Sequence, residues 1–165
     1  MKNIDIIKNK IKKLNNETIS EIESKRIGKK LVTTNGCFDL LHSGHLYSLA
    51  LAFEQGDMLV IGLNSDISVK ENKGNSRPII DEESRALALA CLPFVDYVVI
   101  YDESTSEEFV RKVKPNVHVN SSVYGENCVE RPILDSYGGE LVMIDPLPNS
   151  PSTTSILEKI NHSGE

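Results

Sequence analysis

The sequence predicts an α/β fold: a doubly wound parallel sheet of five strands with helices on both faces, preceded by N-terminal helices. From Lys30 onward strand-like and helix-like segments alternate, the pattern of a parallel sheet covered by helices. The longest apolar runs, at 58–63 and 97–101, are strand-sized. Leu46, Leu49, Ala50 and Phe53 fall at i, i+3, i+4 and i+7, one face of a helix that Gly56 stops.

Taken in order, Ile4, Ile7, Ile11 and Leu14 recur at helical spacing, Asn15-Asn16 breaks the pattern, and Ile19 and Ile22 resume it. Two short amphipathic helices are expected there, packed on the domain or on a second subunit. Strands are expected at 31–34, 58–63, 97–101, 117–119 and 141–144, with helices at 43–55, 82–92, 106–113, 128–137 and 152–160. Such a Rossmann-like sheet binds ligands beyond the carboxyl ends of its strands, near the point where strand order reverses. Only 71–76 and the tail after Asn161 read as mobile, and no linker divides the chain. The expected organisation is a single domain over 1–165, with 1–28 a helical extension and 29–161 the core.

A chain of 165 residues with 39% hydrophobic and 25% charged content suits one globular core. Its formal charge of −6 argues against a general attraction for nucleic acid or anionic lipid. No apolar run approaches the roughly 20 residues of a membrane span, and the lysine-interrupted N-terminus lacks the form of a secretory signal. A cytoplasmic protein is expected. Cys37, Cys91 and Cys128 are odd in number and widely spaced, which gives no disulfide framework and no zinc ribbon.

The segment after the first core strand reads Thr34-Asn35-Gly36-Cys37-Phe38-Asp39-Leu40-Leu41-His42-Ser43-Gly44-His45 and runs straight into the helix at 43–55. Ser43 is a candidate N-cap, and Gly44 leaves room for a ligand to approach the free N–H groups of the first turn. His42 and His45, three apart, can share one side of that turn, so donors converge with the positive end of the helix dipole, a setting for polyphosphate. Two other readings stay open: capping and surface decoration, or zinc ligation by Cys37, His42 and His45.

TNGCFDLLHSGH resembles the signature of the HxGH cytidylyltransferase-like nucleotidylyltransferases, most closely the adenylyltransferase domain that activates heptose 1-phosphate. The similarity continues through Gly62-Leu63-Asn64-Ser65-Asp66, Lys73-Gly74 with Arg77-Pro78-Ile79, Glu83 with Arg85, Val95-Asp96, Lys114-Pro115 and Ser152-Thr153-Thr154. It implies that His42, His45 and Lys73 are catalytic. Asn35, Gly36, Cys37, Phe38, Gly44, Ser152, Thr153 and Thr154 would surround the nucleotide, and Asp39, Asn64, Arg77, Arg85 and Tyr124 would contact substrates. No protein-held metal is expected; Mg²⁺ would arrive with the nucleoside triphosphate.

Structural roles compete at several of these positions. Ser152 to Thr154 open a helix and can serve as a plain cap, and Lys70, Lys73 and Arg77 can be a solvated loop. Arg85, on an apolar helix, needs an anionic partner, either an internal carboxylate or a phosphate. Asn64 and Asp66 end a strand, where hydroxyl recognition, magnesium positioning and turn roles are all open. Asn120-Ser121-Ser122-Val123-Tyr124 departs from the related domains, which carry lysine and aspartate where this chain has Asn120 and Val123. Tyr124 can stack on a base or sugar or pack under a loop.

The expected activity joins the NMP part of a triphosphate, ATP first, to a sugar phosphate such as D-glycero-D-manno-heptose 1-phosphate. CTP with glycerol 3-phosphate or another polyol phosphate is the alternative. A non-catalytic nucleotide-binding or metal-binding regulator on the same fold is the alternative of another class. Small-molecule substrates, no nucleic acid, no membrane and a homodimer are the expected partners.

Overall fold

The computed structural model describes residues 2–125 and 128–162. Six parallel strands form one sheet: β1 (Ile11–Lys13), β2 (Leu31–Gly36), β3 (Met58–Asn64), β4 (Tyr97–Tyr101), β5 (Val117–Ser121) and β6 (Glu140–Ile144), in the order β1-β4-β3-β2-β5-β6. Around it lie α1 (Lys2–Asn9), α2 (Asn16–Lys25), α3 (Ser43–Phe53), α4 (Asp66–Lys73), α5 (Glu82–Ala90), α6 (Glu107–Val113), α7 (Arg131–Asp135) and α8 (Thr153–His162). Among the described residues no helix is long and apolar enough to cross a membrane.

Alternation along the strands divides the core in two. Val32, Leu59, Ile61, Val98 and Ile100 point to one face, where Leu49 and Ala52 of α3 and Ala86, Leu89 and Ala90 of α5 cover them. Leu31, Met58, Val60, Tyr97, Val99 and Tyr101 point to the other, under Ile22 of α2, Phe109, Val110 and Val113 of α6, and Ile133 and Leu134 of α7. The central strand β3 is buried along its whole length, as a parallel strand covered on both faces must be. Gly62 in β3 makes room for α6, because a Cβ there would lie 2.7 Å from the Phe109 ring.

The sheet has a sixth strand in place of the expected five. Residues 11–13 form β1 rather than continuing the first N-terminal helix, which ends at Asn9. The open edge of β4 explains it: Val98 donates to the Lys10 carbonyl at 2.9 Å and Leu14 to that of Ile100 at 2.9 Å, which pairs groups that a helix would leave bare. A second difference concerns 71–76, expected to be mobile, since Glu71 to Lys73 complete α4. Ser65 caps this helix by accepting from the Ser68 amide, and Gly74 ends it at φ 89°. The helix expected at 128–137 shortens to α7, with Pro132 in its first turn. Of the tail, Asn161 and His162 belong to α8, and 163–165 lie outside the described residues.

From β2 the chain steps outward to β3 and β4, and it then returns to the opposite side of β2 as β5. The order therefore reverses between β2 and β5, and their carboxyl ends open the crevice where such sheets bind ligands.

Candidate active site

A cleft of about 1210 Å³ lies over that crevice, and every residue expected at the site except Arg85 lines it. The segment from Cys37 to His42 carries the chain from β2 to α3 with Phe38 at φ 47° and Leu40 at φ 52°, a tight path that turns the helix start toward the cleft. The N-cap is His42, not Ser43, and its side chain makes no capping bond. The first amides of α3 therefore keep their donors free for a ligand.

The rings of His42 and His45 stack with centroids 3.8 Å apart, and the Phe38 ring meets that of His45 edge-on at 5.3 Å. Burial lowers the His45 pKa from 6.5 to about 4; His42 and Lys73 add to the effect and Asp39 opposes it. Burial lowers His42 as well. Both imidazoles are thus neutral donors near pH 7, and both Nδ1 atoms are buried without a partner among the described residues. The sequence reading left the space at Gly44 to a ligand, but the protein itself uses part of it. A Cβ on Gly44 would lie 2.9 Å from Ser150 Oγ and 3.1 Å from the His42 ring.

The start of α8 closes against this turn. Thr153 Oγ1 donates to the Asp39 carbonyl at 2.7 Å across 114 residues of sequence. Ser152 Oγ accepts from the Ser155 amide at 3.1 Å, which makes Ser152 the cap of α8. Two helix N-termini, at residues 43–45 and 153–155, therefore border one cavity.

Asp39 is 1% exposed and faces away from solvent. One carboxylate oxygen accepts from Arg77 Nε at 2.7 Å and the Ile79 amide at 2.9 Å, and the other from the Ile80 amide at 3.0 Å. Burial works to raise its pKa, but those amides and Arg77 outweigh it and hold the carboxyl below its ordinary range. Lys73 reaches the cleft from the last turn of α4, a helix where the sequence suggested a loop. Asn64 is buried at the end of β3, its amide donating to Ser68 Oγ at 2.8 Å. Tyr124 is 73% exposed on the cleft rim, which excludes packing under a loop.

Arg85 alone of the expected site residues lies outside the cleft lining. It is 2% exposed, and its guanidinium is committed inside the protein: to the carbonyls of Ile80 at 2.8 Å and Asn64 at 2.9 Å, to the carbonyl of Cys37, and to Asp66 at 2.8 Å. Four of its five N–H donors are so engaged, and two of them tie the end of β3 to the residue that follows β2. Its anionic partner is the internal carboxylate.

Tyr101, Ser106 and Glu130 also line the cleft and were not expected there. Glu130 is 3% exposed, accepts from the Ser106 hydroxyl, and lies 3.9 Å from His118 Nε2, while His118 Nδ1 meets Thr33 Oγ1 at 2.8 Å. Tyr101 had a legible signal, because it ends a strand at the carboxyl edge. Glu130 had none. Among the described residues no group of three His, Cys, Asp or Glu side chains is disposed to hold a metal ion.

The family model described as cytidylyltransferase-like matches residues 33–156. The bifunctional protein HldE of Syntrophotalea carbinolica is 47% identical over 143 residues, covering 86% of this chain and 29% of that protein. HldE of Geobacter metallireducens is 48% identical with the same coverage, so the chain spans less than a third of the length of these curated relatives. Among solved structures, the lipopolysaccharide core biosynthesis protein from Thermoplasma volcanium is 28% identical with a TM-score of 0.59, over 73% of this chain and 98% of that one. Pantoate-β-alanine ligase from Francisella tularensis, 14% identical with a TM-score of 0.57 over 92% and 77% of the two chains, shares the fold alone.

Proposed function

The chain belongs to the cytidylyltransferase-like family, and from that membership we propose that it joins the AMP moiety of ATP to a sugar phosphate such as D-glycero-D-manno-heptose 1-phosphate, releasing pyrophosphate. The observation that carries the reading is the Thr153 to Asp39 bond, which fixes the starts of α3 and α8 on one cavity. A triphosphate held between them meets free amides and two positive helix ends.

The acceptor phosphate, already ionised near pH 7, attacks the α-phosphorus in line, so no strong general base is required. The imidazole N–H groups of His42 and His45, the Lys73 ammonium and the amides of the two first turns donate to oxygens that gain charge in the transition state. Asp39 holds the segment 77–80 against the histidine turn, and Arg85 fixes the strand ends beneath it. Mg²⁺ bound with the triphosphate supplies neutralisation of the phosphate oxygens. The residues present fit a cation carried by the nucleotide: Asp39 has both oxygens engaged and Glu130 is held by Ser106, so the described residues of the cleft offer no free carboxylate pair for a dedicated cage.

The preference for ATP and heptose 1-phosphate is supported by the sequence resemblance and by the likeness to a lipopolysaccharide core biosynthesis protein. We also assign residues 1–165 to a single domain with its core at 29–161, a homodimeric assembly and a cytoplasmic location. Pyrophosphate release is the test, with ATP, CTP, GTP and UTP each offered to a panel of sugar 1-phosphates and glycerol 3-phosphate. Turnover of ATP with heptose 1-phosphate is expected. Turnover only of CTP with a polyol phosphate would transfer the assignment to that activity, and nucleotide binding without turnover on any acceptor would make the chain a sensor.

A further inference from the structure

Tyr101 is the last residue of β4 and pairs in register with Asn64 at the end of β3. Its ring stacks on Phe109 with centroids 5.7 Å apart, and the absent side chain of Gly62 lets Phe109 take that position. The ring is therefore fixed, and so is the direction of its hydroxyl. That hydroxyl is buried without a hydrogen-bond partner among the described residues, in a side chain that borders the cleft. The side-chain amides of Asn35 and Asn64 stand close enough to favour its ionised form as hydrogen-bond donors would, against the larger effect of burial, yet neither meets the geometry of a full hydrogen bond. Burial raises its pKa, so the phenol stays protonated and can both donate and accept. A buried polar group left unpaired costs about 1–3 kcal/mol, a cost that a bound ligand's polar group would remove.

Its position in the cleft indicates which ligand. The two helix starts that would cradle the triphosphate follow β2 and β6, so the nucleotide takes the side of the crevice that runs from β2 toward β6. In-line attack brings the acceptor from opposite the departing pyrophosphate, which leaves it the side toward β3 and β4. The strand ends on that side bring the uncharged polar side chains of Asn35, Asn64 and Tyr101 to the cleft lining, with Ser104 just beyond β4, whereas Lys73 acts on His45 at the cradle. Neutral groups that donate and accept suit alcohols rather than phosphates.

We infer that the carboxyl ends of β2, β3 and β4 form a hydroxyl-recognition subsite, in which the Tyr101 phenol, flanked by Asn35 and Asn64, bonds a hydroxyl of the acceptor's sugar. The inference deepens the proposed activity and rests on it. Tyr101 is then a specificity-determining residue that touches substrate.

Tyr101→Phe in the full chain tests it through three readouts. These are initial rates with ATP and D-glycero-D-manno-heptose 1-phosphate, calorimetric affinity for a non-hydrolysable ATP analogue, and Tm without ligand. Loss of one neutral hydrogen bond should raise the KM for the sugar phosphate about 5- to 10-fold. Affinity for the analogue should be unchanged, and Tm unchanged or higher, because the variant removes an unpaired buried group. An unaltered acceptor KM, or a lowered Tm that exposes a structural bond to Asn35 or Asn64, would overturn the subsite while leaving the activity standing. Wild-type protein that turns over no sugar phosphate would instead overturn the proposed activity and the subsite together.

Discussion

Thr153 Oγ1 sits 2.7 Å from the carbonyl oxygen of Asp39, and this one bond joins the first residue of the last helix to the loop that leaves the first core strand. Neither partner is a conventional cap pair, since Ser152 already caps α8. The bond works between elements, where it sets the spacing of two helix N-termini.

Thr153→Val keeps the branched shape and removes the donor. The loss costs about 1 kcal/mol, a Tm decrease of about 2–4 °C at this chain length. Because misplacement of the cradle acts on the reacting geometry, kcat/KM for ATP should fall by about 10-fold or more. Steady-state kinetics beside a thermal melt separate the two effects.

His45→Ala should leave the far-ultraviolet circular dichroism intact and lower kcat by about 10²- to 10³-fold, the usual loss for one transition-state donor. His42→Ala should behave alike. Because the two rings stack, the double variant should lose less than the product of the single losses, and stopped-time product assays would measure it.

The His45 pKa near 4 gives two pH-dependent outcomes. In the unfolded chain the group titrates near its ordinary 6.5, so the unfolded state binds more protons between those values. Its contribution to stability is complete above that ordinary value and is lost as pH falls toward 4. The same imidazole beside a bound polyanion gains affinity for a proton. Binding of an ATP analogue at pH 6 should therefore take up protons, detected by calorimetry in buffers of different ionisation enthalpy; no uptake would place the anion away from His45.

Arg85→Met separates a structural arginine from a phosphate ligand. Removing a buried partner that satisfies three carbonyls and a carboxylate should cost about 3 kcal/mol, toward the lower end for buried pairs because Asp66 can rehydrate. A chemical denaturation curve shifted to lower midpoint is expected. An unshifted curve with weakened nucleotide binding would restore the phosphate-binding reading.

Much of this was legible because local pattern and tertiary role agreed. The unbroken apolar runs at 58–63 and 97–101 belong to strands covered on both faces, and the helix after His45 carries its own periodicity. The expected site residues gather because they leave the carboxyl ends of neighbouring strands. Long-range partners were not legible. Residues Ile11 to Lys13 read as helix, since nothing local reports the open edge of β4 that they fill. The polar run of α4 hid a helix held by Ser65 and by the Asn64 to Ser68 bond. Arg85 announced its need for an anion without revealing whether that anion was Asp66 or a phosphate. Glu130 sits in a stretch whose composition gave no sign of the Ser106 and His118 side chains waiting across the fold.

Amide chemical-shift mapping with a non-hydrolysable ATP analogue and Mg²⁺ tests the cradle most directly. The account predicts the largest perturbations at Gly44 and His45 in the first turn of α3 and at Thr153 and Thr154 in that of α8, saturating together with one dissociation constant. Saturable binding that leaves either helix start unperturbed would contradict it.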